Sequence, residues 1–438
     1  IEKENQTEDI RQRSYGAYGV FTQPFGAAEF EASLGYAVFD EDTNAIETAL
    51  EFESGDFEED EETIDITDKE LQGGMAISFP VFGSIDNKTG VDIRRQKRQG
   101  IQLGDTVDVE ADIENLRIAP FTKFTFDLSS AVTAEAGVRY EYFDRDVVSE
   151  DGEGELSDGR LLPSASIRWD LTENDRVRLS GARTICYPDF DLISPFEEDE
   201  TPGDDDLLIG NPELDVETSW GFDAGYERRV GAKGVVGLNF FYRDISDLIE
   251  LVPVAAFGDG SEFRPMNTGD AQAWGVEFDI STPLDFIGLY ETAFYANAAW
   301  LDSEFTDSNT GLERKLSNQP DYVYNISLIQ NFPQFDFSAG ASYQKRDSAL
   351  QFAFDEIREI SYDGNLEVFL EKRLGEKVVV RFSATNLLDA EKLEVISAYD
   401  GDSAAEFAQA IIDGDVDEIE IEHEQSSQVY TLTLRAAF

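Results

Sequence analysis

Apolar and polar residues alternate with a period of two along this chain, and nothing else in the sequence constrains its fold as tightly. In "AVTAEAGVRYEY", Val132, Ala134, Ala136, Val138, Tyr140 and Tyr142 share one face of an extended strand. Thr133, Glu135, Gly137, Arg139 and Glu141 share the other, because successive side chains of a strand point to opposite sides. "GVVGLNFFYRD" sets Val236, Leu238, Phe240 and Tyr242 against Gly237, Asn239 and Arg243. "LLPSASIRW" sets Leu161, Ala165, Ile167 and Trp169 against Ser164, Ser166 and Arg168. "EKVVVRFSATN" sets Val378, Val380, Phe382 and Ala384 against Arg381, Ser383 and Thr385. The last segment, "QVYTLTLRAAF", puts Tyr430, Leu432, Leu434, Ala436 and Phe438 on one face and Arg435 on the other.

The connections alternate as well. Short ones at "QPFGA", "DLSSA", "DLTEND", "RVGAKG", "NFPQF" and "KRLGEK", with "FPVFGSIDNKTG" and "TPLDFIGLY", make eight hairpin turns. Longer acidic connections are expected at 40–70, 144–160, 187–216, 247–272, 302–320, 346–364 and 388–427. This is the pattern of an all-β, antiparallel up-and-down meander of about seventeen strands with two unlike ends. So many strands in simple meander order suit a sandwich badly. A closed barrel of that size has a lumen too wide for side chains to fill, so its inner face is polar and its outer face needs a lipid solvent. Residues 1–438 are therefore expected to form one large transmembrane β-barrel region, with the terminal-strand apolar set facing lipid. Arg139, Arg168, Arg243, Arg381 and Arg435 are expected to face the lumen. Aromatics such as Trp169, Trp220, Tyr242, Trp300 and Tyr322 fall near the expected strand ends, where interfacial girdles form.

Composition narrows the chemistry. The 92 acidic and 34 basic residues give a net charge of −58, which excludes a nucleic-acid partner because phosphate binding needs a basic surface. Such a balance suits high salt, where a screening length of about 3 Å at 1 M quenches repulsion; a secreted halophilic all-β protein is the soluble counterpart of that reading. A single cysteine, Cys186, rules out a disulfide within the chain, and a single histidine, His423, leaves Cys/His zinc sites without ligands. No nucleophile–histidine constellation can be placed, so the chain reads as non-enzymatic. No run of about 18 apolar residues forms a membrane helix. The opening "IEKENQTEDI" is charged from its second residue and is no signal peptide.

At residues 183–229 the sequence resembles the barrel of TonB-dependent outer-membrane receptors. "RTICYPDF", then "GNPELDVETS", then "FYRDISDLIE" follow that family's order. "KTGVDIRRQKR", "LLPSASIRWDLTENDRVRLSGA", "NTGDAQAWGVEFDI", "SATNLLDAEKLEV" and the final "LRAAF" extend the resemblance over about residues 70–438. Cys186 and Tyr187 stand where the family often has a small residue and Arg. The resemblance implies a bacterial outer-membrane barrel of about 22 strands, with a plug domain and a TonB-contacting box that this chain does not contain. Hairpin parity likewise leads us to expect strands before Ile1, so the chain reads as the C-terminal portion of a larger receptor.

What the resemblance implies for function is energised import. A small molecule such as an iron-siderophore complex, cobalamin or a glycan binds the outer loops, and TonB acts through the plug. The acidic loop carrying Glu197, Glu198, Asp199, Glu200, Asp204, Asp205 and Asp206 is a candidate calcium site, since hard cations take clustered carboxylates. The same loops would repel an anionic ligand and favour a neutral or cationic one. Lipopolysaccharide, outer-membrane lipid and a surface lipoprotein are further expected partners. A plugless, cation-preferring passive porin is the alternative with the same outer face.

Overall fold

The computed structural model describes residues 2–51, 57–104, 108–149, 153–198, 207–257, 260–353, 356–399, 401 and 403–437. Seventeen long strands make a single antiparallel meander in which each pairs with the next in the chain. The first eight are β1 (Glu2–Phe25), β2 (Ala28–Glu51), β3 (Phe57–Phe82), β4 (Ile85–Leu103), β5 (Asp108–Ser129), β6 (Val132–Ser149), β7 (Glu153–Asp170) and β8 (Asp175–Cys186). The next five are β9 (Glu217–Val230), β10 (Gly234–Phe257), β11 (Gly260–Pro283), β12 (Thr292–Thr306) and β13 (Tyr322–Phe332). The last four are β14 (Phe337–Arg346), β15 (Asn365–Leu374), β16 (Val378–Thr385) and β17 (Val429–Ala436). Among the described residues no ladder joins β1 to β17.

All eight expected short turns are present, and left-handed glycines tighten several of them. Gly26 and Gly375, at φ 63° and 72°, have the conformation a side chain resists. The other end departs from expectation. The stretches 40–70, 144–160 and 247–272 read as loops, yet they lie largely in strands: β2 and β3 pair from Glu29–Ser78 out to Leu50–Phe57. Strands of 24 to 26 residues far exceed the roughly ten that a tilted span of a bilayer needs. Beyond the apolar band the ladder continues in water, where backbone pairing does not require an apolar outer row. Of the girdle aromatics, Tyr242 and Trp300 consequently lie well inside their strands, whereas Trp169 and Tyr322 stand at strand ends as expected.

Register makes the wall two-faced. On the apolar face Tyr242 lies opposite both Phe222 and Trp274, and Trp300 lies opposite both Val276 and Tyr322. From Val236 to Tyr242, or from Phe294 to Trp300, six steps along a strand rise about 20 Å, close to the height of an outer-membrane apolar band. Large side chains along it are open, with Trp300 52% and Leu432 73% exposed.

Two long connections fold into a small lobe of their own. The strands Ala349–Ala353, Glu356–Tyr362, Glu391–Ala398 and Glu418–Gln425 form a separate four-stranded sheet. A helix, Ala404–Asp413, precedes the last of them. Its N-cap Ser403 accepts a hydrogen bond from the Glu406 amide, and Gly414 ends it at φ 66°. "SAAEFAQAIIDG" combines a cap, an amphipathic turn and a stop, so the expected connection 388–427 contains a helix.

Candidate functional site: the polar face of the wall

The segment carrying the family-like motif, described at residues 187–198 and 207–216, folds back onto the polar face of β4–β6. Ile193 and Leu214, both fully buried, close a cluster with Ile113 of β5 and Val147 of β6. Phe196 joins Val109 and Ala111 a step further along β5, and packs over Gly100, where a Cβ would collide with its ring. The motif "GNPELDV" is the clasp. Gly210 lies so close to the Ser194 carbonyl that any side chain would overlap it. Asn211 donates its backbone N–H to Leu192 O and its Nδ2 to Pro265 O, at 2.8 and 3.0 Å. Asn267 Oδ1 accepts the Asp215 amide at 2.9 Å, and Glu217 Oε1 accepts the Ile249 amide at 2.8 Å. Asn211 and Asp215 of the motif thus hold backbone, and Asp215 also pairs with Arg160 at 2.8 Å, which accounts for both as scaffold.

Beneath this segment lies a charge network. Arg98, only 8% exposed, makes a two-pronged ion pair with Asp68 at 2.8 and 2.9 Å, pairs with Asp191 and sits 5.0 Å from the centre of the Phe190 ring. Arg139 bridges Asp92 and Glu141 at 2.7 and 2.6 Å. Tyr187 Oη donates to Glu141 Oε2 at 2.7 Å. Burial, and then the carboxylate it faces, push the Tyr187 phenol well above its usual range, so it stays a neutral donor. The Tyr187 ring lies under the Arg117 guanidinium, 3.5 Å from its centroid. Among the described residues no carboxylate comes within ion-pair distance of Arg117 or Arg145; Arg145 donates instead to Leu214 O at 2.6 Å. Arg94, Arg117 and Arg139, with Tyr18, Gln72 and Tyr187, line a cavity of about 400 Å³.

The five arginines singled out from sequence all fall on this polar face by register, but they do not converge. Arg139 lies opposite Leu162, and Arg168 lies opposite Thr133 and Arg178. Arg243 pairs with Asp223 at 3.0 Å, Arg381 lies 4.0 Å from Glu371, and Arg435 lies opposite Val379. They are spread round the wall, mostly with a neighbouring carboxylate each. Tyr430, Leu432, Leu434 and Ala436 share the opposite face with Ala384, Phe382, Val380 and Val378, and Phe438 lies outside the described residues. Of the acidic loop, Glu197 and Glu198 form a two-residue strand paired with Leu208 and Ile209. Asp199, Glu200, Asp204, Asp205 and Asp206 lie outside the described residues. Among the described residues no group of three candidate ligands is arranged to hold a metal ion.

Sequence reasoning missed Arg98, Arg117 and Arg145, and noted Tyr187 only as a departure from the family pattern. It also missed a row of amides, Asn297, Asn325, Gln344 and Asn365, which lie opposite one another on β12–β15. Each sits on the polar parity of its own strand, so a register would have found them, but no single segment displays the row.

A two-faced antiparallel meander, turned tightly at one end and extended at the other, with a loop seated on its polar face, defines a large β-barrel wall of the outer-membrane type. The family model described as TonB dependent receptor-like, beta-barrel matches residues 3–387; the chain belongs to that family, whose place is the bacterial outer membrane. No curated protein matches the sequence. Among solved structures the chain is similar to the copper transporter OprC, at TM-score 0.69 and 16% identity over 98% of this chain and 65% of that one. It is also similar to the ferric enterobactin receptor PfeA of Pseudomonas aeruginosa, at TM-score 0.60 and 15% identity over 98% and 70%. The ferric yersiniabactin uptake receptor FyuA of Yersinia pestis aligns at TM-score 0.59 and 13% identity over 94% and 61%. At these identities the likeness is one of fold. The chain spans just under two thirds of the length of OprC.

Proposed function

We propose that the protein is an outer-membrane receptor that takes up a scarce small-molecule nutrient by TonB-dependent active transport. The apolar band faces lipid, with Tyr430, Leu432, Leu434, Ala436 and Phe438 in its closing strand, and the polar face lines the lumen with Arg139, Arg168, Arg243, Arg381 and Arg435. The observation that carries the reading is the seating of residues 187–198 and 207–216, around the family-like motif, on the polar face through fully buried Ile193 and Leu214. A wall that holds its own loop in this way supports a gated receptor over an open pore. TonB would act through a plug outside this chain. Charge and family likeness add lipopolysaccharide, a surface lipoprotein and calcium at the 197–206 loop as proposed partners.

The test is nutrient uptake by cells producing the intact protein, with and without a protonophore. Active transport predicts that uptake stops when the membrane is de-energised. Uptake that continues unchanged supports the porin reading instead.

A further inference from the structure

Arginines on the polar face of β4–β7 are matched to carboxylates almost throughout. Arg94 pairs with Glu70, Arg98 with Asp68 and Asp191, Arg139 with Asp92 and Glu141, and Arg160 with Asp215. Two arginines depart from this, and they are neighbours. Arg145 of β6 lies opposite Asn115 of β5, and Arg117, on the same face of β5, lies opposite Phe143. Arg145 is 4% exposed and Asn115 8%. The Arg145 side chain donates only to a neutral carbonyl, Leu214 O at 2.6 Å, and its buried Nε finds no acceptor among the described residues. Neither the Asn115 amide nor the Arg117 guanidinium makes a side-chain hydrogen bond among the described residues; Arg117 has only the Tyr187 ring beneath it. Nearby carboxylates are already engaged, Asp215 by Arg160 and the Val216 amide, Glu141 by Arg139 and Tyr187. Burial, and then the charge of Arg117, hold the Arg145 guanidinium down, to about 10.

We infer that Asn115, Arg117 and Arg145 hold a small inorganic anion, a halide such as chloride, beneath the seated segment. A guanidinium carries only donors, and the Asn115 amide adds its own N–H groups beside them. Burying one charge is costly, and burying two of the same sign side by side costs more, unless a counter-ion lies with them. Water would satisfy the Arg145 Nε and leave both charges standing; an anion satisfies the donor and neutralises charge together. The roof selects for size. Leu214 is fully buried and Phe143 is 3% exposed, so Arg145 is closed off on both sides and a monatomic ion suits the site better than an organic acid. The general field of a chain with net charge −58 repels anions, so capture needs a local pair of unmatched cations such as this one. An ion held only by the seated state stabilises that state, which links halide binding to the seating of residues 187–198 and 207–216. The site is closed by this chain itself and goes beyond the receptor reading, since it depends on the seated segment and not on what the barrel carries.

The test uses the full chain in detergent, with sodium chloride exchanged for sodium gluconate at fixed ionic strength so that screening stays constant. The Ser194 and Asn211 amides, bonded to Phe190 O and Leu192 O within the seated segment, report its opening by hydrogen exchange. Chloride is expected to slow their exchange saturably, about tenfold at ten times its dissociation constant. Arg117→Gln leaves Arg145 and its bond to Leu214 O in place, and should weaken chloride affinity about tenfold or more. Lys233→Gln, in the turn between β9 and β10, should leave that affinity unchanged. Crystals grown in sodium bromide should show anomalous scattering between the Arg117 and Arg145 guanidinium groups. Exchange that is equal in chloride and gluconate overturns the proposal, as does a bromide map with no peak at that position. A chloride effect untouched by Arg117→Gln, in a barrel that keeps its heat-dependent gel migration, overturns it as well.

Discussion

Two flanks of one wall use the same polar face in opposite ways. Around β4–β6 it is roofed by residues 187–198 and 207–216, its arginines are matched to carboxylates, rings or carbonyls, and Ile113, Val147, Ile193 and Leu214 are dry. Around β12–β15 the face is open, uncharged in its amide row and mostly unmatched within the protein. Alternation alone makes both, since it dictates only that a polar residue points inward. What differs is whether another part of the chain is cut to fit. The first flank is held by its own chain and the second is not, and substitutions should tell them apart.

The largest effect is expected from Leu214→Ala, which empties a fully buried site and should cost about 2–5 kcal/mol, read as a lowered thermal midpoint with earlier proteolysis of 187–216. Gly210→Ala should come next, at about 1–3 kcal/mol for forcing a side chain against the Ser194 carbonyl; an unchanged midpoint would show that the clasp is not seated as described. Gln344→Ala, on the open flank, should change stability by less than about 0.5 kcal/mol, and a loss comparable with Leu214→Ala would erase the contrast. The smallest effect concerns Asp307, in the connection after β12. Burial alone would raise its carboxyl, but the Thr310 amide and the Arg314 guanidinium hold it below the usual range. A depressed carboxylate stabilises above its unfolded pKa of about 3.9 and loses that contribution as pH falls through the folded value. Hydrogen-exchange protection of the Thr310 and Gly311 amides should therefore be flat from pH 7 to about 4 and fall only below that, and Asp307→Asn should lower it at neutral pH.

Much of the wall was legible in the sequence. Period two fixed the faces of Val132–Tyr142, Val236–Tyr242 and Val378–Ala384, and the turn signals fixed the hairpins. Strand length was not legible. "TIDITDKEL" reverses its phase, with Ile64 and Ile66 on the face of Asp68 and Glu70 and with Asp65 and Lys69 on the face of Leu71. It therefore reads as loop when hydropathy is the guide, although in water a paired backbone needs no apolar partner. The sites were harder still. Arg98 and Asp68 meet through the β3–β4 register, but Asp191 joins them only because its segment folds back, and no local pattern announces that return. The amide row is scattered over four strands whose turn lengths decide whether its members align. The acidic loop, conspicuous in sequence, lies for the most part outside the described residues.

The small lobe has a consequence for how the last staves find one another. In a two-faced wall a slip of one residue turns every side chain to the wrong solvent and corrects itself. A slip of two keeps every face in place and goes unnoticed. The lobe pairs Glu356–Tyr362, which precedes β15, with Glu391–Ala398, which follows β16, so the alignment of those staves is written a second time outside the band. An even-numbered error that the alternation cannot feel would tear this second ladder. The lobe is a proofreading mark for the one mistake a repeating strand cannot detect.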